Sequence, residues 1–429
     1  MYIVVLGAQF GDEGKGKLLD FLMKEGDVCV RFNGGSNAGH TIDVGGVKYY
    51  THVLPSGLIH PDKECIMGNG MVIGLENLVT ELEDLQSKGI KIENRLKISK
   101  RAHVVLNIHK VIDTVTGKKI GTTGQGIGVA YSSKAMRDGM RIIDLLGDES
   151  AWKEKLDMIY DKSSILLGDE MDPVRLQASR EKDYALIAKC NKFLKDNSIE
   201  LSYYMNSLLL DTKNVIFEGA NAIMLDIDHG TYPFVTSSTC SLSGVFSGTG
   251  MSPSKFFSQP HEIVGVVKAY MTRVGNGKLI TEAFDKDGEI MQTVGGEIGV
   301  TTKRKRRCGW LDIVQLRYAC MINGFTHLNI TKLDILSEFD TVKICTSYTN
   351  TKTAQSVHEF PSVEEDLDNL EPVYNTYDGW KGFDLSTVTT YDELHPNIKK
   401  YLETIESLLN VHVKYINTGV ERDQMLVNN

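Results

Sequence analysis

Residues 1–17 read Met-Tyr-Ile-Val-Val-Leu-Gly-Ala-Gln-Phe-Gly-Asp-Glu-Gly-Lys-Gly-Lys. The apolar, β-branched run at 2–6 predicts a buried strand, and the leucines that follow residue 17 at helical spacing predict a helix. Four glycines lie between the two elements, at positions 7, 11, 14 and 16. A strand, a glycine-rich loop, a lysine and a helix together are typical of phosphate binding, because backbone N–H groups and the helix N-terminus converge on the anion. This stretch predicts a phosphate-binding loop between a buried strand and a helix.

The loop departs from the standard P-loop pattern. Lys15 is followed by Gly16 where that pattern has the Ser or Thr that binds magnesium. The loop also carries Asp12, whose carboxylate repels a phosphate unless a metal or proton chemistry accounts for it. The alternative is a tight glycine turn that only joins a strand to a helix.

Composition limits the class of protein. The chain has 429 residues, is 41% hydrophobic and 24% charged, and carries a formal net charge of −9. The acidic balance argues against general nucleic-acid binding. The seven cysteines form no CxxC pair and no zinc spacing, which is typical of reduced thiols in a cytosolic protein. No apolar run is long enough to span a membrane. We therefore expect a cytoplasmic protein with neither nucleic acid nor a membrane as a partner.

A second glycine-rich loop follows the strand predicted at 28–32. It contains Asn37-Ala38-Gly39-His40-Thr41. At the end of a parallel strand, His40 suits a general acid or a phosphate donor, although a hydrogen-bonded loop histidine is the simpler interpretation. Asn37 could contact a base or a sugar, or only support a left-handed backbone.

Two further segments suit anionic ligands. Thr122, Thr123 and Arg137 lie in or near the loop at 120–137 and offer hydroxyl and guanidinium donors to a phosphate monoester. Residues 303–307 are consecutively basic. This run is consistent with a localisation or nucleic-acid patch, a solvated charge run, or a mobile loop that closes over an anionic substrate. The first segment could equally be a plain surface loop.

Acidic residues at strand ends are also candidates. Lys332 and Asp334 resemble the guanine-reading pair of GTP-binding proteins, and the turn at 417–419 could form a second wall for the base. Asp226 and Asp228 would share one face of a strand and could ligate a metal, although structural hydrogen bonding explains them equally simply.

Taken together, these motifs resemble the adenylosuccinate synthetase family over nearly the whole chain. The matching segments are GDEGKGK at 11–17, NAGHT at 37–41, GTTGQGIG at 121–128, LDIDHGTYPFVTSS at 225–238, VTTKRKRRCGWLD at 300–312 and TKLD at 331–334. The run Gly-Ala-Asn-Ala at 219–222 is similar to eukaryotic-type members.

The resemblance implies one α/β domain over 1–429, with a large, mostly parallel central sheet, a variant P-loop and a mostly helical subdomain at 141–212. It implies a magnesium-dependent ligase of purine and AMP biosynthesis that uses GTP to join L-aspartate to IMP. The products would be adenylosuccinate, GDP and phosphate, formed through a 6-phosphoryl-IMP intermediate. It also implies a homodimer in which Arg137 contributes to the neighbouring subunit's site. The alternatives are a GTP-binding switch and a catalytically weak paralogue.

The resemblance also assigns residues to roles. It implies that Asp12, His40 and Lys15 are catalytic and that Asp12 and Gly39 hold the metal. It implies GTP contacts at Gly11, Asp12, Glu13, Gly14, Lys15, Gly16, Lys17, Gly39, His40, Thr41, Arg306, Lys332, Leu333, Asp334, Asn417, Thr418 and Gly419. It implies IMP contacts at Asp12, Asn37, Ala38, Gly39, His40, Thr123, Arg137, Asn221, Thr236 and Arg304. It implies aspartate contacts at Val300, Thr301, Thr302, Lys303, Arg304, Lys305 and Arg306.

Three positions depart from common members of the family. Lys303 replaces a glycine of the aspartate loop, Val129 replaces a proline of the IMP loop, and Asn221 stands where bacterial members have glutamine. None of these changes removes a group to which the chemistry is assigned.

Overall fold

The computed structural model describes residues 1–44, 46–117, 122–168, 172–298 and 305–428. The strands in these ranges are β1 (Tyr2–Gly7), β2 (Val28–Arg31), β3 (His40–Val44), β4 (Val47–Thr51), β5 (Glu64–Met67), β6 (Val72–Gly74), β7 (Leu96–Ser99), β8 (His103–Val105), β9 (Ser198–Ile199), β10 (Val215–Ala222), β11 (His261–Lys268), β12 (Met271–Arg273), β13 (Arg307–Gly309), β14 (Leu311–Asp312), β15 (His327–Thr331), β16 (Thr341–Asn350), β17 (Ser356–Val357), β18 (Leu370–Asp378), β19 (His412–Asn417) and β20 (Met425–Val427).

The α-helices in the same ranges are α1 (Lys15–Leu22), α2 (Leu75–Ser87), α3 (Asn107–Thr116), α4 (Ile127–Met136), α5 (Ile142–Leu145), α6 (Glu149–Leu167), α7 (Pro173–Asn197), α8 (Leu201–Met205), α9 (Ser243–Thr249), α10 (Pro253–Ser258), α11 (Lys286–Val294), α12 (Ile313–Asn323), α13 (Glu364–Leu367) and α14 (Pro396–Leu409). No helix among the described residues is long and apolar enough to cross a membrane.

A ten-stranded sheet forms the centre of the fold, in the order β20-β19-β15-β11-β1-β10-β2-β5-β7-β9. Every neighbouring pair is parallel except β19 and β20. The large, mostly parallel sheet predicted from the sequence is therefore confirmed. Two-stranded sheets pair β12 with β13, β3 with β4 and β6 with β8, and a smaller sheet contains β14, β16, β17 and β18.

The first strand lies between β10 and β11, with Tyr2 opposite both Val215 and His261. Val4 and Leu6 belong to one large apolar core, whereas Ile3 and Val5 belong to the other. This alternation follows from the two-residue period of a strand, so both faces of the sheet are covered. The near-continuous apolar run at 2–6 is the sequence signature of that double burial.

The helical region predicted at 141–212 contains α5, α6, α7 and α8, together with the short edge strand β9. The long helix α7 packs against α2, α3 and α6. The grouping of these helices into a subdomain of one single domain stays a prediction.

The carboxyl ends of the central strands determine where the loops meet. Strands β19, β15, β11, β1, β10 and β2 are consecutive in the sheet and parallel, so the segments that follow them leave from the same edge. In open parallel sheets this edge is where ligands bind.

Candidate functional site

A cavity of about 850 Å³ opens at this edge of the sheet. Many of the residues singled out from the sequence line it: Gly11, Asp12, Glu13, Gly14, Lys15, Gly16, Lys17, Asn37, Ala38, Gly39, His40, Thr123, Asn221, Thr236, Arg306, Lys332, Asp334, Asn417 and Gly419. The structure therefore brings together segments that lie hundreds of residues apart in the chain.

The glycine loop turns sharply before α1. Gly11, Asp12 and Gly14 have φ values of 88°, 59° and 91°, in the left-handed region that glycine adopts freely. Asp12 adopts this conformation despite its side chain, which is uncommon and is found at functional turns. The backbone thus holds the Asp12 carboxylate, whose side chain is 38% exposed, at the cavity wall.

Lys15 is buried and pairs with a neighbour in the loop. Its Nζ lies 2.7 Å from Oε2 of Glu13, and the other oxygen of that carboxylate accepts the backbone N–H groups of Gln9 and Gly11. Glu13 therefore both shapes the loop and compensates the buried charge of Lys15.

Lys17 joins the loop to the end of the chain. Its Nζ donates to the carbonyl oxygens of Gly419 and Gln424, at 2.6 and 2.9 Å. Burial lowers the pKa of Lys17 to about 8, although nearby acidic residues such as Asp334 oppose the shift. In this structure Lys17 ties the 417–424 turn to α1.

Asp12 forms an ion pair across the cavity. Its Oδ2 accepts from Nε of Arg306 at 2.7 Å, and Nη1 of the same guanidinium donates to Oε2 of Glu297, also at 2.7 Å. Because Glu297 is fully buried, Arg306 bridges a fixed interior carboxylate and the exposed one of Asp12.

His40 is held by a carboxylate from another strand. Its Nδ1 lies 2.6 Å from Oε1 of Glu218, which is buried in β10. The second oxygen of Glu218 accepts from the backbone N–H and the hydroxyl of Ser56. Burial opposes ionisation, but the charge and hydrogen bond of His40, together with Arg31 and the Ser56 N–H, lower the pKa of Glu218 to about 2. The carboxylate is therefore ionised and fixes the orientation of the ring.

Three of the predicted IMP residues, Asn37, Asn221 and Thr236, line the cavity. Nδ2 of Asn37 donates to Oγ1 of Thr236 at 3.1 Å. The Oδ1 atoms of Asn37 and Asn221 are buried without a hydrogen-bond partner, and Asn221 has a φ of 62°. Buried polar atoms without partners are uncommon in folded proteins, so these two acceptors suit a polar ligand.

The residues predicted to bind the guanine lie where two cavities adjoin. A second cavity of about 360 Å³ is adjacent, and Asp334 and Gly419 line both cavities. Ser337 and Thr418 also line the smaller one, and their hydroxyl oxygens are buried without a hydrogen-bond partner. Ser337 and Thr418 thus offer two unpartnered hydroxyl groups near Asp334, in a cavity whose lining also includes Asp384 and Glu421.

Five predicted residues lie away from the lining of the larger cavity. Leu333 is buried in the core, Thr418 lines only the smaller cavity, and the backbone of Thr41 pairs with Tyr50 in β3. Lys305 is exposed, and Arg137 is exposed at the end of α4. Val300, Thr301, Thr302, Lys303 and Arg304 lie outside the described residues. Of the positions that depart from the family, Val129 and Asn221 line the cavity.

The possible metal pair at 226 and 228 is not on a strand. Asp226 follows a short 3₁₀ helix at 223–225, and its carboxylate accepts backbone N–H groups of Asp228, His229, Cys240 and Ser241. The structural interpretation of Asp226 is therefore the correct one, because its acceptor capacity is used within the loop.

Sequence reasoning gave no role to Glu218 or Glu297. The sequence did carry one signal for Glu218. A glutamate within an apolar run such as that of β10 is rarely buried unless it is paired, so a partner could have been expected. The partner of each carboxylate depends on tertiary packing: His40 and Glu218 are separated by 178 positions.

Comparisons with known proteins agree with this geometry. The profile of the adenylosuccinate synthetase family matches residues 4–426. The adenylosuccinate synthetase of Vanderwaltozyma polyspora is 44% identical over 442 aligned residues, and that of Komagataella phaffii is 45% identical over 438, with 99% of each chain covered. A solved structure of the fully ligated adenylosuccinate synthetase from Plasmodium falciparum matches with a TM-score of 0.92 at 41% identity, covering 100% of this chain and 99% of that one. The chain belongs to the adenylosuccinate synthetase family.

Proposed function

We propose that the cavity at the sheet edge catalyses the reaction of the family, the GTP-dependent ligation of L-aspartate to IMP. One observation carries the proposal: a single cavity gathers the glycine loop, the His40 loop, Thr236, Arg306 and Asp334. The comparisons give no support to a GTP-binding switch or an inactive paralogue. The products are adenylosuccinate, GDP and phosphate.

The three substrates occupy different walls. The phosphates of GTP lie along the glycine loop at the N-terminus of α1, where Lys15 and the loop N–H groups meet the anion. The guanine lies toward Asp334, whose carboxylate can accept from its N1–H and amino groups. IMP lies against Asn37, Asn221 and Thr236, and their side-chain contacts support this placement.

The chemistry divides between two side chains. Asp12 removes the proton from N1 of IMP, which makes O6 nucleophilic toward the γ-phosphate of GTP. His40 donates to the transferring phosphoryl group while Glu218 holds its other ring nitrogen. The bond from O6 to phosphorus forms as the bond to GDP breaks, giving 6-phosphoryl-IMP. The aspartate amine then attacks C6, loses a proton and displaces inorganic phosphate.

A cation at Asp12 is part of this proposal. Asp12 lines the same cavity as Lys15 and accepts from Arg306, and in the proposed arrangement the phosphates of GTP lie close to its carboxylate. A carboxylate and a backbone carbonyl are the hard oxygen ligands that magnesium accepts alongside substrate phosphates. Asp12 and Gly39 would hold Mg²⁺, which neutralises charge on the phosphates when bound.

The aspartate carboxylates are assigned to residues 300–306. Lys305 and Arg306 are the described members of this segment, and the position of Arg306 beside Asp12 supports the assignment. We further infer a cytosolic homodimer, in which the exposed Arg137 reaches the IMP phosphate of the neighbouring subunit. We also retain a single domain over 1–429, with 141–212 as its helical part.

The test follows the oxygen at position 6 of IMP. IMP carrying an isotopic oxygen label at O6 is incubated with GTP, aspartate and magnesium, and the phosphate is analysed by mass spectrometry. The proposal predicts that the label appears in inorganic phosphate in step with adenylosuccinate. Label released to water would contradict attack by O6 on GTP. Phosphate release without IMP would instead indicate a GTP hydrolase.

A further inference from the structure

Glu297 and Arg306 are hydrogen-bonded to each other at the two ends of residues 298–305. The backbone N–H of Arg306 donates to the carbonyl of Glu297 at 2.9 Å, and Ile298 forms a β-bridge with Lys305. The side chains repeat the contact, because Nη1 of Arg306 donates to Oε2 of Glu297. Main-chain and side-chain bonds therefore join the same two residues.

Two other side chains also donate hydrogen bonds to the carboxylate of Glu297. Its Oε1 accepts from Nζ of Lys268 at 2.9 Å and from the hydroxyl of Tyr270 at 2.5 Å. Lys268 also donates to Oγ1 of Thr272. Lys268 is the last residue of β11, which lies beside β1 in the ten-stranded sheet. Glu297, which we call the anchor of Arg306, is therefore held by the middle of this sheet.

The surroundings of Glu297 favour its ionised form. Burial favours the neutral form of Glu297, but Lys268, Tyr270 and Arg306 outweigh it and lower the pKa of the carboxyl group. An ionised carboxylate with three donors has little freedom to turn, so it defines one position for its arginine.

We propose that Glu297 is a positioning residue that fixes the Arg306 guanidinium beside Asp12, ready to bind the anionic groups of GTP and aspartate. The inference rests on the proposed function, which places those groups in this cavity. A guanidinium is planar, so holding Nη1 in the interior directs Nε toward Asp12 and the cavity. Glu297 thus supplies rigidity to Arg306 without lining the cavity.

The variants separate positioning from folding. Glu297→Gln alone leaves the buried Lys268 without its counter-charge and could unfold the chain. The double variant Glu297→Gln/Lys268→Met removes both buried charges, so it tests the loss of the anchor with the charge balance kept. Glu282→Gln is the matched control, because Glu282 pairs with Arg307, the residue next to Arg306.

We expect the double variant to retain a cooperative thermal transition and to bind IMP normally by calorimetry. The KM values for GTP and aspartate should rise about tenfold or more, since small displacements of binding groups carry such costs. Glu282→Gln should keep wild-type constants. In addition, Arg306→Ala should cost less in the double variant than in the wild-type chain, because its anchor is already lost.

Two outcomes would overturn the inference. One is wild-type KM values for GTP and aspartate in a folded double variant. The other is an equal loss for all three substrates that follows the folded fraction, which indicates a structural role only. If the wild-type chain forms no adenylosuccinate, the proposed function fails. GTP binding by the same variants, measured by calorimetry, then still tests the anchor.

Discussion

Glu218 is a fully buried carboxylate that holds a residue of the cavity wall. It holds His40 with one oxygen and Ser56 with the other. Its pKa falls from an ordinary value of 4.5 to about 2, so the folded state binds its proton less tightly than the unfolded state does. The carboxylate therefore stabilises the fold above pH 4.5, and this stabilisation is lost as pH falls toward 2.

Glu218→Gln should remove this pH-dependent stability. Over the window from about pH 4.5 to 2, the shift corresponds to on the order of 3 kcal/mol in the free energy of unfolding. Urea unfolding followed at several pH values measures the difference between the wild type and the variant. The gap should be largest near neutral pH and should narrow in acid. Glu83→Gln, at an exposed ion pair with Lys189, should change little. A gap that is constant with pH would contradict the assignment.

The same variant should lose activity. Without the carboxylate, the His40 ring is no longer held for donation to the phosphoryl group, so we expect kcat to fall by about 10- to 100-fold. Steady-state assays with saturating IMP, GTP and aspartate measure it. Glu218→Asp, which keeps the charge, should retain more activity than the glutamine variant. Equal activity in both variants would show that the charge is not what matters.

At the residue scale, local chemistry singled out Asp12, Lys15 and His40 as candidates, whereas their catalytic roles came from the family resemblance and stay predictions. Each lies in a glycine-rich loop after an apolar strand, and that pattern can be read within a few positions. Their partners could not be predicted in this way. Glu297 pairs with Arg306, and Arg306 pairs with Asp12 across 294 positions of the chain. A pair as distant in sequence as the second depends on the tertiary fold.

At the scale of elements, the loop after β2 packs closely against His52, the residue that follows β4. A Cβ atom added at Gly39 would lie 2.7 Å from Cδ2 of His52, next to β4. Gly39→Ala must therefore displace the histidine ring or shift the loop that carries His40. A shift of the loop changes the position of His40 relative to the glycine loop, and we expect the partly buried surroundings of the His52 ring to favour that shift.

We expect Gly39→Ala to lower kcat/KM for IMP by about tenfold or more. The double variant Gly39→Ala/His52→Ala should recover part of the loss, because the smaller side chain removes the contact. Gly147→Ala is the control, since its added Cβ would have space and lies away from the cavity. Steady-state kinetics compare the three variants. No recovery in the double variant would mean that the contact with His52 is not the cause.

At the scale of elements, apolar runs and the glycines after them predicted β1, α1 and β2 close to their observed bounds. Their shared edge followed from parallel pairing. The local structure around Asp226 and Asp228 was harder to predict, because an alternating polar pattern occurs both in strands and in hydrogen-bonded loops. Only the four backbone donors around Asp226 distinguish the two.

At the scale of the whole molecule, the position of Arg137 bears on how two copies of the chain would assemble. Arg137 ends α4 in a left-handed conformation, is exposed and does not line the cavity of its own chain. If Arg137 completes the site of a second copy, two variants that are inactive alone should complement each other. In a mixed dimer of Asp12→Ala and Arg137→Ala, one of the two sites is intact.

Mixing these variants in equal amounts, with dissociation and reassembly, should restore about a quarter of the wild-type activity, as expected for random pairing in a twofold dimer. Activity after mixing is compared with that of each variant alone at the same total concentration. Activity that stays at the sum of the two separate variants would contradict a shared site. Sedimentation of the mixture confirms that dimers are present.

The central claim is that Asp12 is the base of a GTP-dependent ligase, and the most direct test is adenylosuccinate formation by the wild type and Asp12→Asn. Calorimetry should show that both proteins bind IMP. The wild type should form product from IMP, GTP and aspartate with magnesium, and Asp12→Asn should be slower by about a thousandfold, since the amide cannot take the N1 proton. A rate within a few-fold of the wild type would contradict the account.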